Sequence, residues 1–510
     1  MSRIARRFHD ETAHSPSSVR TSGHALDWDN KPFPFKVYTD APAVALPREI
    51  DVIAAPTLQA LASPAPPPAR LTLAALTALL YYTAGVTRKK TYRGGGEVLF
   101  RAAASTGALY QTEVYVAAGE VEGLVPGLYH FCPGDFTLRR LRPTDVRAAL
   151  AAAAAEPAIG RRAATLVLSA IYWRNTWKYQ ARGFRHLFWD SGTMLANALA
   201  VGDALGLAPS LVTGFVDDDV NRLLGVDADQ EAALELLTLG PAGPVPPPAA
   251  EPAPLTLDVM PLSETEVDYP ALREMLRASS LATAGDVAAW RAATLSPPPE
   301  PGGPLLALPA PPLDGRPLGE TIQRRGSTRR FAHTPLTSSE LGAALWAATR
   351  PVPADVPGGL VDLYLVVNAV EGVPPGAYAY WPGRGLQLLR EGQFRREAAY
   401  LTLEQALGGD AAATIFFLAR LDPILAGWGE RGYRLANLQA GLAGGRAYLA
   451  AYAHGFGASG LTFYDADVVR FFSPHAAGRD AIFVTALGRA GSTESAVLRS
   501  TAIHTLPGRS

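Results

Sequence analysis

One segment of this chain is written twice. Glu113 to Leu138 reads EVYVAAGEVEGLVPGLYHFCPGDFTL, and Asp362 to Leu388 reads DLYLVVNAVEGVPPGAYAYWPGRGLQL. Tyr115 aligns with Tyr364, Val121-Glu122-Gly123 with Val370-Glu371-Gly372, and Pro126-Gly127 with Pro375-Gly376, all at one spacing. At that spacing Arg182-Gly183-Phe184-Arg185 meets Arg431-Gly432-Tyr433-Arg434, and Gly206 meets Gly455. The Asp-X-Asp-Val runs beginning at Asp217 and Asp465 are displaced by one residue, and each copy closes on Leu-Gly, at Gly240 and Gly488. Upstream, LTLAALTALLYYTAG at 71–85 pairs with LTSSELGAALWAATR at 336–350 at a longer spacing, so copy one carries extra residues after its first helix. Self-similarity of this kind decides the whole fold. It predicts a duplicated domain whose two units mimic an isologous dimer with its interface internalised.

Within each copy the apolar periodicity gives helix, strand, hairpin, strand, long helix and two further strands. That order predicts an α+β fold: a central mixed or antiparallel sheet flanked by helices, present twice as an intramolecular pseudo-dimer. The expected divisions are an arm over 1–45, copy one over 46–245, a linker over 246–315 and copy two over 316–510. The linker holds two proline-rich spacers, 241–254 and 297–312, around a modest helical stretch from Tyr269 to Ala293. Such spacers favour extended, semi-rigid chain that orders the halves without supplying a core.

Composition narrows the function classes. The 510 residues are 48% hydrophobic and 18% charged with a formal net charge of −1, which gives no sign of nucleic-acid or membrane-surface binding. The single cysteine, Cys132, excludes an internal disulfide and a multi-cysteine zinc site. The charged start, Met1 to Asp10, does not resemble a secretory signal, and no apolar run approaches the roughly 20 residues that span a bilayer. A cytoplasmic setting is the expectation. No Gly-x-Gly-x-x-Gly follows a strand, and no His/Asp/Glu set has metal-ligand spacing.

Three motifs carry chemistry. Arg324 to Phe331 reads RRGSTRRF, four guanidinium groups around a serine and a threonine, suited to the bidentate binding of a phosphate. Its plain alternative is a solvated basic loop. Arg101 to Tyr110 reads RAAASTGALY, where small residues and hydroxyls let a backbone approach a flat ring; alone, it is a generic turn. Gly457 to Asp465 reads GASGLTFYD, which a helix C-cap and a turn explain in part.

Taken together these segments resemble the nitroreductase-like flavoproteins. RRGSTRRF is similar to that superfamily's RRSxRxF signature, with Gly326 inserted before the serine. RAAASTGALYQ resembles the R-x-x-P-S-x-G-A-L-Y-P segment of the SagB/ThcOx branch, the azoline dehydrogenases of peptide natural-product pathways; Ala104 and Gln111 stand where that branch has proline. The resemblance implies FMN as cofactor. It assigns Arg325, Ser327, Arg329 and Arg489 to the phosphate and ribityl chain, Arg101, Ser105, Thr106 and Gly107 to the loop against the ring, the backbone at Gly460 and Leu461 to the reactive edge of the isoalloxazine, and Gln405 to a position that faces flavin.

The motifs are divided between the copies. Copy two has the arginine motif and Arg489, where copy one has Leu58 to Ser63 without arginine and Pro241. Copy one has the Ser-x-Gly loop, where copy two runs through Pro- and Gly-rich sequence from Thr349 to Asp362. In nitroreductase-like dimers each FMN lies between subunits, so the resemblance implies one composite FMN site and a dead counterpart.

Lys178-Tyr179 precedes the long helix of copy one, and Gly427-Trp428 stand in its place in copy two. A lysine beside a tyrosine can lower the phenol's pKa or act as a base once desolvated; packing aromatics beside an exposed lysine are the plain reading. The resemblance implies that this pair takes the α-proton of a thiazoline or oxazoline. Asp190 resembles a position the family uses for packing, and His186 and His454 are read as structural. The expected activity is FMN-dependent oxidation of azolines in a peptide or carrier-bound substrate to azoles, with O2 reoxidising the flavin and a cyclodehydratase-type enzyme as partner. Two alternatives stay open: an NAD(P)H-dependent nitro- or quinone-type reductase, and a degenerate flavoprotein scaffold. The pseudo-dimer is expected to act alone or to associate further.

Overall fold

The computed structural model describes residues 4–62, 69–91, 97–246, 252–295 and 300–491. Residues 247–251 and 296–299 of the proline-rich spacers, Ser63, and Met1 to Arg3 of the charged start lie outside the described residues.

Two seven-stranded sheets form the two units. In unit one the spatial order is Ala43–Ala45, Thr137–Arg142, Gly127–Cys132, Thr112–Ala118, Arg162–Ile171, Glu231–Ala242 and Ser210–Val212. In unit two it is Leu305–Leu306, Gly385–Glu391, Gly376–Trp381, Val361–Val367, Ala413–Ala419, Asp480–Gly488 and Gly457–Gly460. The two orders match strand for strand. Of the expected alternatives it is the antiparallel one that holds, since every described pairing within both sheets is antiparallel. The extra residues of copy one form a hairpin, Val86–Thr91 with Glu97–Arg101, that feeds the Ser-x-Gly loop.

The central strand Thr112–Ala118 is buried at every position because both faces of its sheet are covered. Val114 and Val116 face the main core that runs through both units. Tyr115 and Ala117 face a second core under the helices Arg147–Ala153 and Asp217–Leu224. Alternation along a strand places neighbouring residues on opposite faces, so one segment serves two cores.

The units meet along their long helices, Gly183–Ala204 and Arg431–Ala453. Gly192 and Gly441 hold equivalent places there. A Cβ on Gly192 would stand 2.6 Å from the Leu438 oxygen and the Leu442 nitrogen, and one on Gly441 would collide with the Trp189 backbone. Phe184 and Tyr433, also equivalent, stack with ring centroids 6.0 Å apart.

The duplicated Arg-Gly-aromatic-Arg and Asp-X-Asp-Val motifs are the clasps of this interface. Arg182 and Arg185 of unit one donate to Asp465 of unit two at 3.1 and 2.6 Å, and Arg431 and Arg434 of unit two donate to Asp217 of unit one at 2.6 and 2.7 Å. All six side chains are buried. Burial pushes the Asp465 carboxyl up, but Arg182 and Arg185 outweigh it and hold the group down at about 2.

Each clasp is covered by a helix from outside the repeated segments. On the helix Ile4–Glu11 side, Arg185 donates to the His9 oxygen, Arg182 to the Thr12 oxygen, and the His14 N–H to Asp465. On the helix Pro270–Ala278 side, Arg434 donates to the Leu276 oxygen, Arg431 to the Ser279 oxygen, and the Leu281 N–H to Asp217. The arm helix and the linker helix are therefore counterparts, and they touch through Arg7 and Glu274. Leu272 and Met275 are fully buried. The linker segment thus adds to the core, contrary to what its proline-rich flanks suggest.

Candidate functional site

The loop from Arg101 to Gln111 bends through three positive φ values, 66° at Gly107, 54° at Ala108 and 52° at Tyr110. Two of these fall on residues with a Cβ, a conformation that costs about 1–3 kcal/mol each and persists only where the surroundings impose it. Asp190 imposes it. Its carboxylate accepts from the Ser105 hydroxyl, from the Thr106 N–H at 2.9 Å and hydroxyl at 2.7 Å, and from the Gln111 amide at 2.8 Å. One helical turn on, the Thr193 hydroxyl donates to the Ala104 oxygen at 2.6 Å. Asp190 is thus a loop clamp and not a packing residue. Burial pushes its carboxyl up to about 6, opposed by the Ser105, Thr106 and Gln111 donors.

Arg325 reaches this loop from unit two. Its guanidinium donates from Nε to the Ala102 oxygen at 2.8 Å and from Nη2 to the Arg101 oxygen at 3.2 Å. Gly326 follows close to Arg88, whose Nη1 would lie 2.7 Å from a Cβ there. The Ser327 hydroxyl stands 3.3 Å from the Tyr448 hydroxyl, which also receives the Gly460 N–H. Tyr448 therefore ties the arginine motif to the Gly457–Gly460 strand, helped by the Thr328 N–H, which donates to the Ala458 oxygen at 2.9 Å. Gln405 joins the same wall, donating to the Thr402 oxygen at 2.8 Å and the Thr462 hydroxyl at 3.1 Å, next to Leu461.

Lys178 and Tyr179 end the helix Tyr172–Tyr179. The Tyr179 hydroxyl would stand 2.9 Å from a Cβ on Gly107, so the glycine admits the tyrosine against the loop. Burial, and secondarily Asp190, raises the Tyr179 phenol, against the field of Arg329. Lys178 is not among the groups that set the phenol's shift. Lys178 is half-buried; desolvation lowers its pKa, and the charges of Lys31 and Arg329 lower it further.

Two expected ligands are engaged elsewhere. The Arg101 guanidinium is buried behind the loop, donating to the Thr112 oxygen at 3.3 Å and to the Pro34 oxygen, with the Phe35 and Tyr110 rings on either side. It braces the loop and does not face the site, because a buried guanidinium must find acceptors. Arg489 pairs with Glu340 at 2.8 Å and fixes the motif through its backbone oxygen, which accepts from the Ala332 N–H.

Asp190, Thr193, Tyr448 and Lys31 were not singled out by the motifs as site residues. Asp190 had a signal: a carboxylate in the otherwise apolar run HLFWDSGTML must be buried with donors around it. Tyr448 and Lys31 had none.

The donor set suits FMN. Neither Lys31 nor Arg329 makes an ion pair among the described residues, so their charge is available to a phosphate. Ser105, Thr106 and Gly107 supply a rigid, closely approachable backbone for a flat ring. Among the described residues no group of three or more His, Cys, Asp or Glu side chains could hold a metal ion, and no helix is long and apolar enough to cross a membrane.

Comparison with known proteins identifies the family and its relatives. The sequence profile of the nitroreductase family matches residues 63–240 and 322–476. The nitroreductase-like protein MJ1384 of Methanocaldococcus jannaschii is 31% identical over 171 residues, covering 33% of this chain and 81% of that one. The microcin B17-processing protein McbC of Escherichia coli is 28% identical over 137 residues, covering 26% of this chain and 50% of that one, so this chain spans about half the length of that relative. The crystal structure of a nitroreductase-like protein from Anabaena variabilis superimposes with a TM-score of 0.76 at 27% identity, over 96% of this chain and all of that one.

Proposed function

The chain belongs to the nitroreductase family, with the fold present twice, and from that premise we propose that it is an FMN-dependent dehydrogenase that oxidises thiazoline or oxazoline rings of a peptide precursor to azoles. The observation that carries the reading is the contact of Arg325 from unit two with the Ala102 and Arg101 oxygens of unit one, in the loop whose Gly107 receives Tyr179. It joins the phosphate motif of one unit to the Ser-x-Gly loop and the Lys-Tyr pair of the other. Arg325, Ser327 and Arg329 would hold the phosphate end, and Ser105, Thr106, Gly107, Gly460, Leu461 and Gln405 the ring. When bound, FMN supplies a two-electron acceptor that O2 regenerates. Lys178 removes the proton from the ring carbon, favoured by its lowered pKa, so turnover rises with pH as the amine loses its own proton. Tyr179 stays a phenol and donates a hydrogen bond to the substrate. The similarity to a microcin-processing protein supports a peptide substrate and a cyclodehydratase-type partner.

The test is FMN released per purified chain together with turnover of a thiazoline-containing peptide. One FMN per chain is expected, lost in Arg325→Ala and in Ser105→Ala. Lys178→Ala should keep the flavin and lower turnover by about 10²–10⁴. No flavin after reconstitution sinks the proposal in favour of a scaffold role. NADPH-driven nitro reduction that survives Lys178→Ala, with thiazoline untouched, moves the assignment to the reductase that the similarity to MJ1384 favours.

A further inference from the structure

The repeat that relates the units carries the composite site onto a second place in the molecule. Asp190 falls on Gln439, Thr193 on Leu442, Trp189 on Leu438 and Gly460 on Leu211, whose sheet register against its neighbouring strand is equivalent. Both devices of the first site are gone there. Gln439 clamps no Ser-x-Gly loop; it donates to the Pro357 oxygen and accepts from the Leu360 N–H. The proline-containing segment after Arg350 instead lies along the Ser210–Val212 edge. The Leu211 N–H donates to the Pro353 oxygen at 2.8 Å, the Asp355 N–H to the Leu211 oxygen at 3.1 Å, and Asp355 accepts from the Thr213 and Gly214 N–H groups at 2.9 Å. The chain itself thus takes up the backbone edge that at the other site adjoins the arginine motif.

The place is not filled. A cavity of about 360 Å³ remains, within the range of small-molecule sites, with its mouth at the exposed Gly358-Gly359 turn. Its walls are aliphatic: Leu438, Leu442, Val352, Val356, Val361 and Leu363. Arg350 and Arg446 also line it, the Arg350 guanidinium carbon standing 4.9 Å from the centroid of the Trp346 ring. Neither makes an ion pair among the described residues, and the Nε of each is buried without a hydrogen-bond partner. Arg446 gives its Nη1 to the Arg350 oxygen, and Asp203 acts on it only through a longer-range field. Interiors are close-packed, and an aliphatic cavity with unneutralised cations is costly to keep empty.

We infer that the vestigial second flavin site has become a binding site for a small aliphatic carboxylate, its chain against Leu438 and Leu442 and its carboxylate on Arg350 and Arg446. The experiment is calorimetric titration of sodium octanoate and of octan-1-ol into the full chain, with flavin content and melting temperature as folding controls. One octanoate per chain is expected, bound at least about tenfold more tightly than octan-1-ol. Val356→Phe and Leu442→Trp, which fill the cavity from different elements, should each weaken octanoate about tenfold or more with flavin content unchanged. Arg350→Met should abolish the preference for the acid over the alcohol. Absence of octanoate binding, equal binding of the alcohol, or binding that survives both filling variants in folded protein overturns the inference, as would two FMN per chain.

Discussion

The short helices Tyr172–Tyr179 and Leu421–Trp428 hold equivalent places in the two units and leave the helix in the same backbone conformation, with Gln180 at φ 51°, ψ −146° and Gly429 at φ 59°, ψ −155°. Glycine reaches that region freely; a residue with a Cβ does so at a cost of about 1–3 kcal/mol. The strained member of the pair is the one that follows Lys178 and Tyr179. At the interface, by contrast, the two units are chemically alike: each offers two arginines to the other's aspartate, and each clasp is covered by a helix that supplies backbone oxygens and one N–H. The comparison teaches that the duplicated chain held constant what joins the units and let the candidate site diverge.

The largest test of that likeness is to remove one arginine from each clasp. Arg185→Met and Arg434→Met should each destabilise by about 3–5 kcal/mol, because each leaves a buried aspartate short of a partner. Urea unfolding followed by circular dichroism checks it, and a clearly unequal pair of losses breaks the equivalence. Next in size is the pH dependence, where two buried aspartates act with opposite sign. Asp465 is held down at about 2 between arginines, so its stabilisation is present above pH 4 and is lost as pH falls towards 2. Asp190 is pushed up to about 6, so stability declines as pH rises from about 4 to 6, where the unfolded chain has already ionised and the folded one has not. Each effect is on the order of 2–3 kcal/mol, and Asp190→Asn should flatten only the upper arm of the profile. The smallest change is Gln180→Gly, which should stabilise by about 1 kcal/mol while lowering thiazoline turnover, and Gly429→Gln should destabilise by a similar amount without touching turnover. A Gln180→Gly chain that gains no stability would remove strain from the account.

The two sheets, the long helices and the pairing of units were legible because the repeat preserves side chains that must be apolar, small or oppositely charged. RRGSTRRF and RAAASTGALY were legible as strings, but the hydrogen bonds from Arg325 to the oxygens of Ala102 and Arg101 were not. What was hidden was hidden for physical reasons. The arm helix and the linker helix are counterparts that share almost no sequence, because the clasp arginines read their backbone oxygens, and any residue type carries those. Arg101 was assigned to the site by its position in a motif, yet nothing in the string shows on which side of the loop a guanidinium will find acceptors. Tyr448 is one of three tyrosines on its helix, and nothing in the string marks its hydroxyl as the one that meets Ser327 and Gly460.

The clasped long helices have one more consequence. In a dimer of separate subunits a substitution is inherited by both halves, so a change that suits one site is imposed on the other. Here a single polypeptide holds both halves, and each position is free to drift alone. Nor can dilution part them, since no second molecule has to be found. Asymmetry of the kind seen at Lys178 and Gly427 is open to a fused pair in a way that it is closed to a pair of identical chains.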